Sequence, residues 1–185
     1  MSSSRSSIAQ NNQGGSVEPK PSHPYIPDYD MLDTQSGREL LPWSWATERL
    51  SSSHNYWIAT TRPDGQPHLM PVWGVWLDET FYFSTGPRSR KARNLAADPR
   101  CVVCPERADE AVILEGVAEK IADPSLLRRV ADAFSEKYQW DMEPTQEGVR
   151  DTHGNEGPVF AVHPRVAFAW GEFPKSATRW IFDDE

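Results

Sequence analysis

Tyr56-Trp-Ile-Ala-Thr-Thr-Arg-Pro-Asp-Gly65, then Gln66-Pro-His-Leu-Met-Pro-Val-Trp-Gly-Val-Trp-Leu77, then Asp78-Glu-Thr-Phe-Tyr-Phe-Ser-Thr85, reads as three strands joined by two tight turns. Tyr56–Thr61 is a run of β formers. It ends at Arg62-Pro-Asp-Gly, where proline presets φ and glycine accepts a positive φ. His68–Leu77 is the second strand, and Asp78-Glu-Thr turns it into Phe81–Thr85. Strands joined by so short a turn are antiparallel neighbours. In the second strand, alternation puts Trp73 and Val75 on one face and Gly74 and Trp76 on the other. That pattern fits a packed core strand. It also fits a strand that lies along a flat ligand, with Gly74 allowing a ring close to the backbone.

Downstream the pattern changes. Ser89–Ala97 is expected to form a short helix that stops before Asp98-Pro99. Arg100–Cys104 and Ala111–Ile121 read as strands, with Gly116 marking a bulge or bend in the second. Asp123-Pro-Ser opens the main helix, with Asp123 as cap and Pro124 at the first helical position. Leu127, Val130, Ala131, Phe134 and Tyr138 form its apolar stripe. Residues 139–157 read as a polar loop. Val159–Val162 and Val166–Trp170 read as strands split at His163-Pro164, and Thr178–Phe182 as a last strand. Upstream, a helix is expected over 43–52 with Ser44 as N-cap. Residues 1–42 form an N-terminal tail: 1–23 hold too little apolar surface to offset ordering entropy and are expected to be disordered, while 24–42, with scattered apolar anchors, are expected to lie extended over the domain surface. The domain then spans 43–185. Its fold class is mainly β with flanking helices, a six- to seven-stranded antiparallel small barrel.

Composition narrows the function. The net charge is −8 over 185 residues, so a phosphate backbone is repelled and nucleic-acid binding is not expected. No run approaches the ~20 apolar residues that span a bilayer, and the polar start lacks a secretory core, so a cytoplasmic location is expected. Cys101 and Cys104 sit three apart on a strand, which turns their sulfurs to opposite faces and excludes a redox or zinc pair. The five histidines have no metal-ligand spacing.

One segment stands against the acidic background. Phe83-Ser-Thr-Gly-Pro-Arg-Ser-Arg-Lys-Ala-Arg-Asn-Leu95 places Arg88, Arg90, Lys91 and Arg93 around the start of a helix. Cations there oppose the helix dipole. A bound phosphate, accepting from backbone N–H, hydroxyl and guanidinium groups together, would supply the reason. A solvated basic face is the alternative that the run alone leaves open. No nucleophile motif or dinucleotide fingerprint is present, so any redox chemistry falls to a bound cofactor.

Trp57 to His68, Pro71-Val-Trp, Phe83-Ser-Thr, and Ser89-Arg-Lys-Ala-Arg-Asn-Leu-Ala-Ala-Asp-Pro-Arg100 together resemble the pyridoxamine-phosphate-oxidase-like split-barrel flavoproteins. More narrowly they resemble the flavin and deazaflavin oxidoreductase branch typical of actinobacteria. The resemblance covers roughly 43–182. It implies an FMN-binding type of split barrel that forms a homodimer with cofactor sites at the interface. It implies a cofactor phosphate on Ser89, Arg90 and Lys91, supported by Ser84 and Thr85, and a ring against Pro71, Val72 and Trp73. Asn94 would brace the helix, and Trp170, Arg179 and Trp180 of the partner would close the site. The chain ends Ile181-Phe-Asp-Asp-Glu185 in place of the Arg-Leu-x-Pro segment of the vitamin-processing oxidases, which weighs against that activity. Asn94-Leu and Asp98-Pro-Arg resemble members using coenzyme F420, whose anionic tail would also profit from Arg62, Arg88 or Arg93. The resemblance thus implies hydride transfer from reduced F420 to a small electron-poor organic acceptor. An FMN-dependent enzyme and a non-catalytic flavin or haem binder are the alternatives.

Overall fold

The computed structural model describes residues 18–25, 39–172 and 175–182. The expectations for 1–17 and 26–38 lie outside the described residues. The strands are β1 (Pro21–Ser22), β2 (Tyr56–Thr61), β3 (Pro67–Val72), β4 (Gly74–Leu77), β5 (Thr80–Ser84), β6 (Arg100–Pro105), β7 (Ala111–Lys120), β8 (Met142–Pro144), β9 (Val149–Asp151), β10 (Glu156–Gly157), β11 (Val159–Trp170) and β12 (Thr178–Ile181). The helices are α1 (Trp43–Ser52), α2 (Arg90–Ala97) and α3 (Pro124–Tyr138).

All strand pairs are antiparallel. The main sheet runs β3-β2-β6-β7-β11, and at β11 it divides. Val159–Val162 of β11 pair with β5, whereas Val166–Ala169 pair with β12. Beyond β5 lies β4. The two ends of the path, β3 and β4, are consecutive in the chain and joined by Trp73 alone. This is a split sheet, curled so that its ends meet at one residue without pairing there.

Alternation along β5 explains two cores. Phe81 and Phe83 enter the first with Tyr56, Ile58, Leu114 and Trp180, beneath Trp43 and Leu50 of α1. Tyr82 turns to the other face and packs with Val75, Val159 and Ala161 against the stripe of α3. The five stripe residues foreseen from spacing are all buried. Asp123 caps α3 by accepting from the Leu126 N–H (2.8 Å), and Ser89 caps α2 by accepting from Ala92 N–H (3.2 Å). The β4–β5 turn places Asp78 and Glu79 at positive φ, the geometry that matches strand twist in a two-residue hairpin.

Several sequence expectations are corrected. Pro42, not Ser44, occupies the N-cap of α1. The 68–77 strand is broken at Trp73, because its halves belong to opposite ends of the sheet. Residues 139–157 are not a loop throughout, since β8, β9 and β10 form a second small sheet there. β11 is continuous through His163-Pro164, and its register shift falls between Pro164 and Val166. The irregularity near Gly116 therefore belongs to the facing strand. Pro21–Ser22, placed in a disordered segment by composition, pairs with Arg179 and Trp180 at the edge of β12. No helix among the described residues is long and apolar enough to cross a membrane.

Candidate functional site

Lys91 follows Ser89 by two positions, on the turn of α2 that faces β2. Asn94, one turn further on the same side, is completely buried. Its Nδ2 donates to Thr60 Oγ1 (2.9 Å), which lies 3.4 Å from His68 Nδ1. That bridge fixes α2 against the β2–β3 hairpin, the bracing role expected of Asn94. It sets Lys91 half-buried, and lost hydration lowers its pKa. His68 is pushed below its usual range by burial and then by Arg62, Lys91 and Arg90. Three cations from two elements therefore share one field at this rim. His68 and Arg62 are the members that the basic run, read by itself, does not reveal.

Among the described residues, no carboxylate forms an ion pair with Arg62, Arg88, Arg90, Lys91 or Arg93. Elsewhere Arg49, Arg100, Arg107, Arg129 and Arg150 each have an acidic partner. Arg62 donates to Gln66 Oε1 (2.6 Å), while its buried Nε has no partner. Cations gathered without a carboxylate partner raise the local positive potential.

The hydroxyls foreseen as phosphate supports are already engaged. Ser84 Oγ donates to Pro158 O (3.1 Å), and Thr85 Oγ1 donates to Ser89 Oγ (3.1 Å). Ser89 in turn accepts from the helix, so this series stiffens the loop that presents Arg90 and Lys91. Of the ring-wall residues, Pro71 is exposed, Val72 points into the first core, and Trp73 is 43% exposed. Trp170 and Arg179 are half-buried on neighbouring strands β11 and β12. Trp180 is fully buried in the first core, edge-on to Trp43 at 5.2 Å. Its indole has no surface to offer a cofactor, so the expectation that it closes a site is corrected.

Gly74 serves a different purpose from the one its place in the strand suggested. A Cβ there would fall 2.1 Å from the Phe81 ring. The flat group that uses its missing side chain belongs to the chain itself. Its backbone is held from α3: Lys137 Nζ donates to Gly74 O (2.9 Å) and to Tyr56 Oη (2.7 Å), and the Gly74 N–H donates to Tyr138 Oη (2.8 Å). Desolvation lowers the Lys137 pKa to about 8 and raises that of Tyr138 to about 12. Tyr138 also stacks on Trp73, with centroids 4.4 Å apart and planes within 9°. This network fixes the break at Trp73; of its α3 members, Tyr138 is legible in the sequence as a core residue and Lys137 is not.

A cavity of about 220 Å³ opens beside Trp73. Phe134, Trp140 and Met142 continue its apolar wall, and Thr85 and Gly86 form the side nearest α2. The 151–157 segment completes it. Gly157 brings that segment against the α2 loop, since a Cβ there would lie 2.3 Å from Thr85 O. Cys101 and Cys104 play no part. They are free thiols whose pKa values burial lifts to about 12 and about 11.

The conserved hypothetical protein Rv2991 from Mycobacterium tuberculosis is 28% identical, with a TM-score of 0.60 over 74% of this chain and 88% of that one. A structure described as an F420 reductase is 22% identical, with a TM-score of 0.50 over 65% and 93% of the two chains. A heme binding protein from Mycobacterium smegmatis is 18% identical, with a TM-score of 0.58 over 77% and 60%. The last two show a common fold. A search of curated proteins gave no match. The family model for pyridoxamine 5'-phosphate oxidase matches residues 46–170, which contain the basic rim, Trp73 and the cavity, and the chain belongs to that family of split-barrel proteins.

Proposed function

We propose that this chain is an oxidoreductase that uses a flavin-type cofactor, reduced coenzyme F420, to transfer hydride to a small organic acceptor. The observation that carries the reading is the cluster of Arg62, Arg90 and Lys91 around His68, none of them paired with a carboxylate among the described residues, in a chain of net charge −8. The donor set fits the group. The rim holds more cations than one phosphate needs, which suits a long anionic tail better than the single phosphate of FMN. The orphaned Arg62 Nε supplies one further donor.

When bound, the cofactor supplies the hydride. The chain's own residues bind and orient it. Lys91 and Arg90 neutralise the anionic end, with Asn94 and Thr60 preventing α2 from shifting. Pro71 and Trp73 offer an exposed apolar edge for the ring. Trp73 itself is held by Tyr138 and, through Gly74, by Lys137. Positioning of this kind lowers the entropic part of the barrier. The site belongs to a homodimer in this reading. Trp57 (42% exposed) and Leu69 (57% exposed) project from one face of β2–β3, an apolar surface that a second copy would cover. Trp170 and Arg179 of that copy would close the site.

The test is anaerobic mixing of reduced F420 with a quinone, an enone and a bilin. Oxidation is followed by recovery of the cofactor's absorbance. Enzyme-dependent oxidation by at least one acceptor is expected, and it should be lost in Lys91→Ala. Tight binding with no oxidation across the panel would identify a carrier instead. Turnover with FMN alone would replace the cofactor.

A further inference from the structure

The cavity beside Trp73 differs in chemistry from the rim across the α2 loop. It holds no Lys or Arg among its lining residues, and it includes Asp151 and Glu156. Arg150, on β9, is taken up by Glu156 (3.1 Å). Asp151 accepts from Asn155 Nδ2 (2.9 Å) and from the backbone N–H groups of Asn155 (2.8 Å) and His153 (2.9 Å), which lower its pKa. The opposite wall is aromatic. Trp73 and Trp140 meet edge to face, 6.4 Å apart at 74°, and form a corner. Tyr138 backs Trp73, and His153 lies 5.1 Å from Trp140.

We infer that this cavity is a second binding site, which takes one flat ring or two fused rings, uncharged or cationic, and rejects anions. Its volume falls below the ~300–1,000 Å³ of pockets for drug-sized ligands, which limits the occupant to a small ring system. Two indole faces at a corner give such a ring one stacked and one edge contact. The same faces and the Asp151 carboxylate favour a positive charge. The inference deepens the proposed function. The cavity shares Trp73 with the ring wall and Thr85 with the loop that presents Lys91, so its occupant would be the acceptor beside the cofactor.

Three redox-inert bicyclic probes test it on the full chain without cofactor: indole, tryptamine and indole-3-acetate, measured by titration calorimetry. Tryptamine and indole should bind, with indole-3-acetate at least about tenfold weaker. Trp140→Ala should weaken the first two by about fivefold or more. Asp151→Asn should narrow the gap to the acetate while leaving indole unchanged. Circular dichroism and the melting temperature establish that each variant is folded. Equal affinity for all three probes, or unchanged binding in folded Trp140→Ala, would overturn the inference. Titrations with F420 and FMN run in parallel. A protein that binds cofactor but no probe loses this inference alone, and one that binds probes but neither cofactor loses only the proposed function.

Discussion

The rim and the cavity face each other across one short loop, yet they are built in opposite ways. The rim gathers Arg62, His68, Arg90 and Lys91 from two adjacent pieces of chain, and its cations have no acidic partners among the described residues. The cavity collects Trp73, Thr85, Phe134, Trp140 and the 151–157 segment from across the sequence, and its charged lining residues are acidic. In the proposed reading, an acidic protein holds an anionic cofactor by concentrating its free positive charge at one place, and the neighbouring ligand is chosen by the opposite sign.

The largest expected effect breaks the rim alone. Lys91→Glu should weaken F420 about 100-fold, close to 3 kcal/mol for a lost charge-assisted contact and an added repulsion. Tryptamine binding to the cavity should stay within about twofold. A comparable loss for both ligands would show that the two regions are one.

A smaller effect tests the seam that the two regions share. Gly74→Ala puts a methyl carbon into the Phe81 ring and should destabilise the fold by about 2 kcal/mol. Denaturant unfolding measures that loss. Because Gly74 holds Trp73 in place, tryptamine affinity should fall in the same variant while the rim's affinity for inorganic phosphate is kept.

The smallest effect concerns the support behind Trp73. Lys137 has a folded pKa of about 8, below its ordinary value of 10.5. Between these values the unfolded chain holds a proton that the folded chain has shed, so stability rises with pH. Solvent screening keeps the gain under about 1 kcal/mol. Urea midpoints at pH 7.5 and 9.5 should show this rise in the wild type and not in Lys137→Met. An equal rise in both would assign it to another group.

Much of the rim was legible in the sequence, because α2 and the β2–β3 hairpin carry local signals. Ser89 at the cap, the Asp98-Pro99 stop and the Arg62-Pro-Asp-Gly turn all act within a few residues. The break at Trp73 was not legible, since apolar alternation continues across it and only the pairing partners change. The cavity was hidden for a related reason. Strands of two and three residues such as β8–β10 have no measurable period, and only their pairing with one another defines them. Trp180 shows the limit of carrying a role over by resemblance: its neighbour Arg179 stays half-exposed, while Trp180 itself fills the core.

The central claim is that the unpaired rim grips the anionic end of a redox cofactor. Titration of the purified protein with coenzyme F420, beside Lys91→Ala, tests it most directly. Saturable binding in the micromolar range is expected, weakened at least about tenfold by the substitution. Binding unaffected by the loss of Lys91, or no binding of F420 or FMN below about 1 mM, would contradict it.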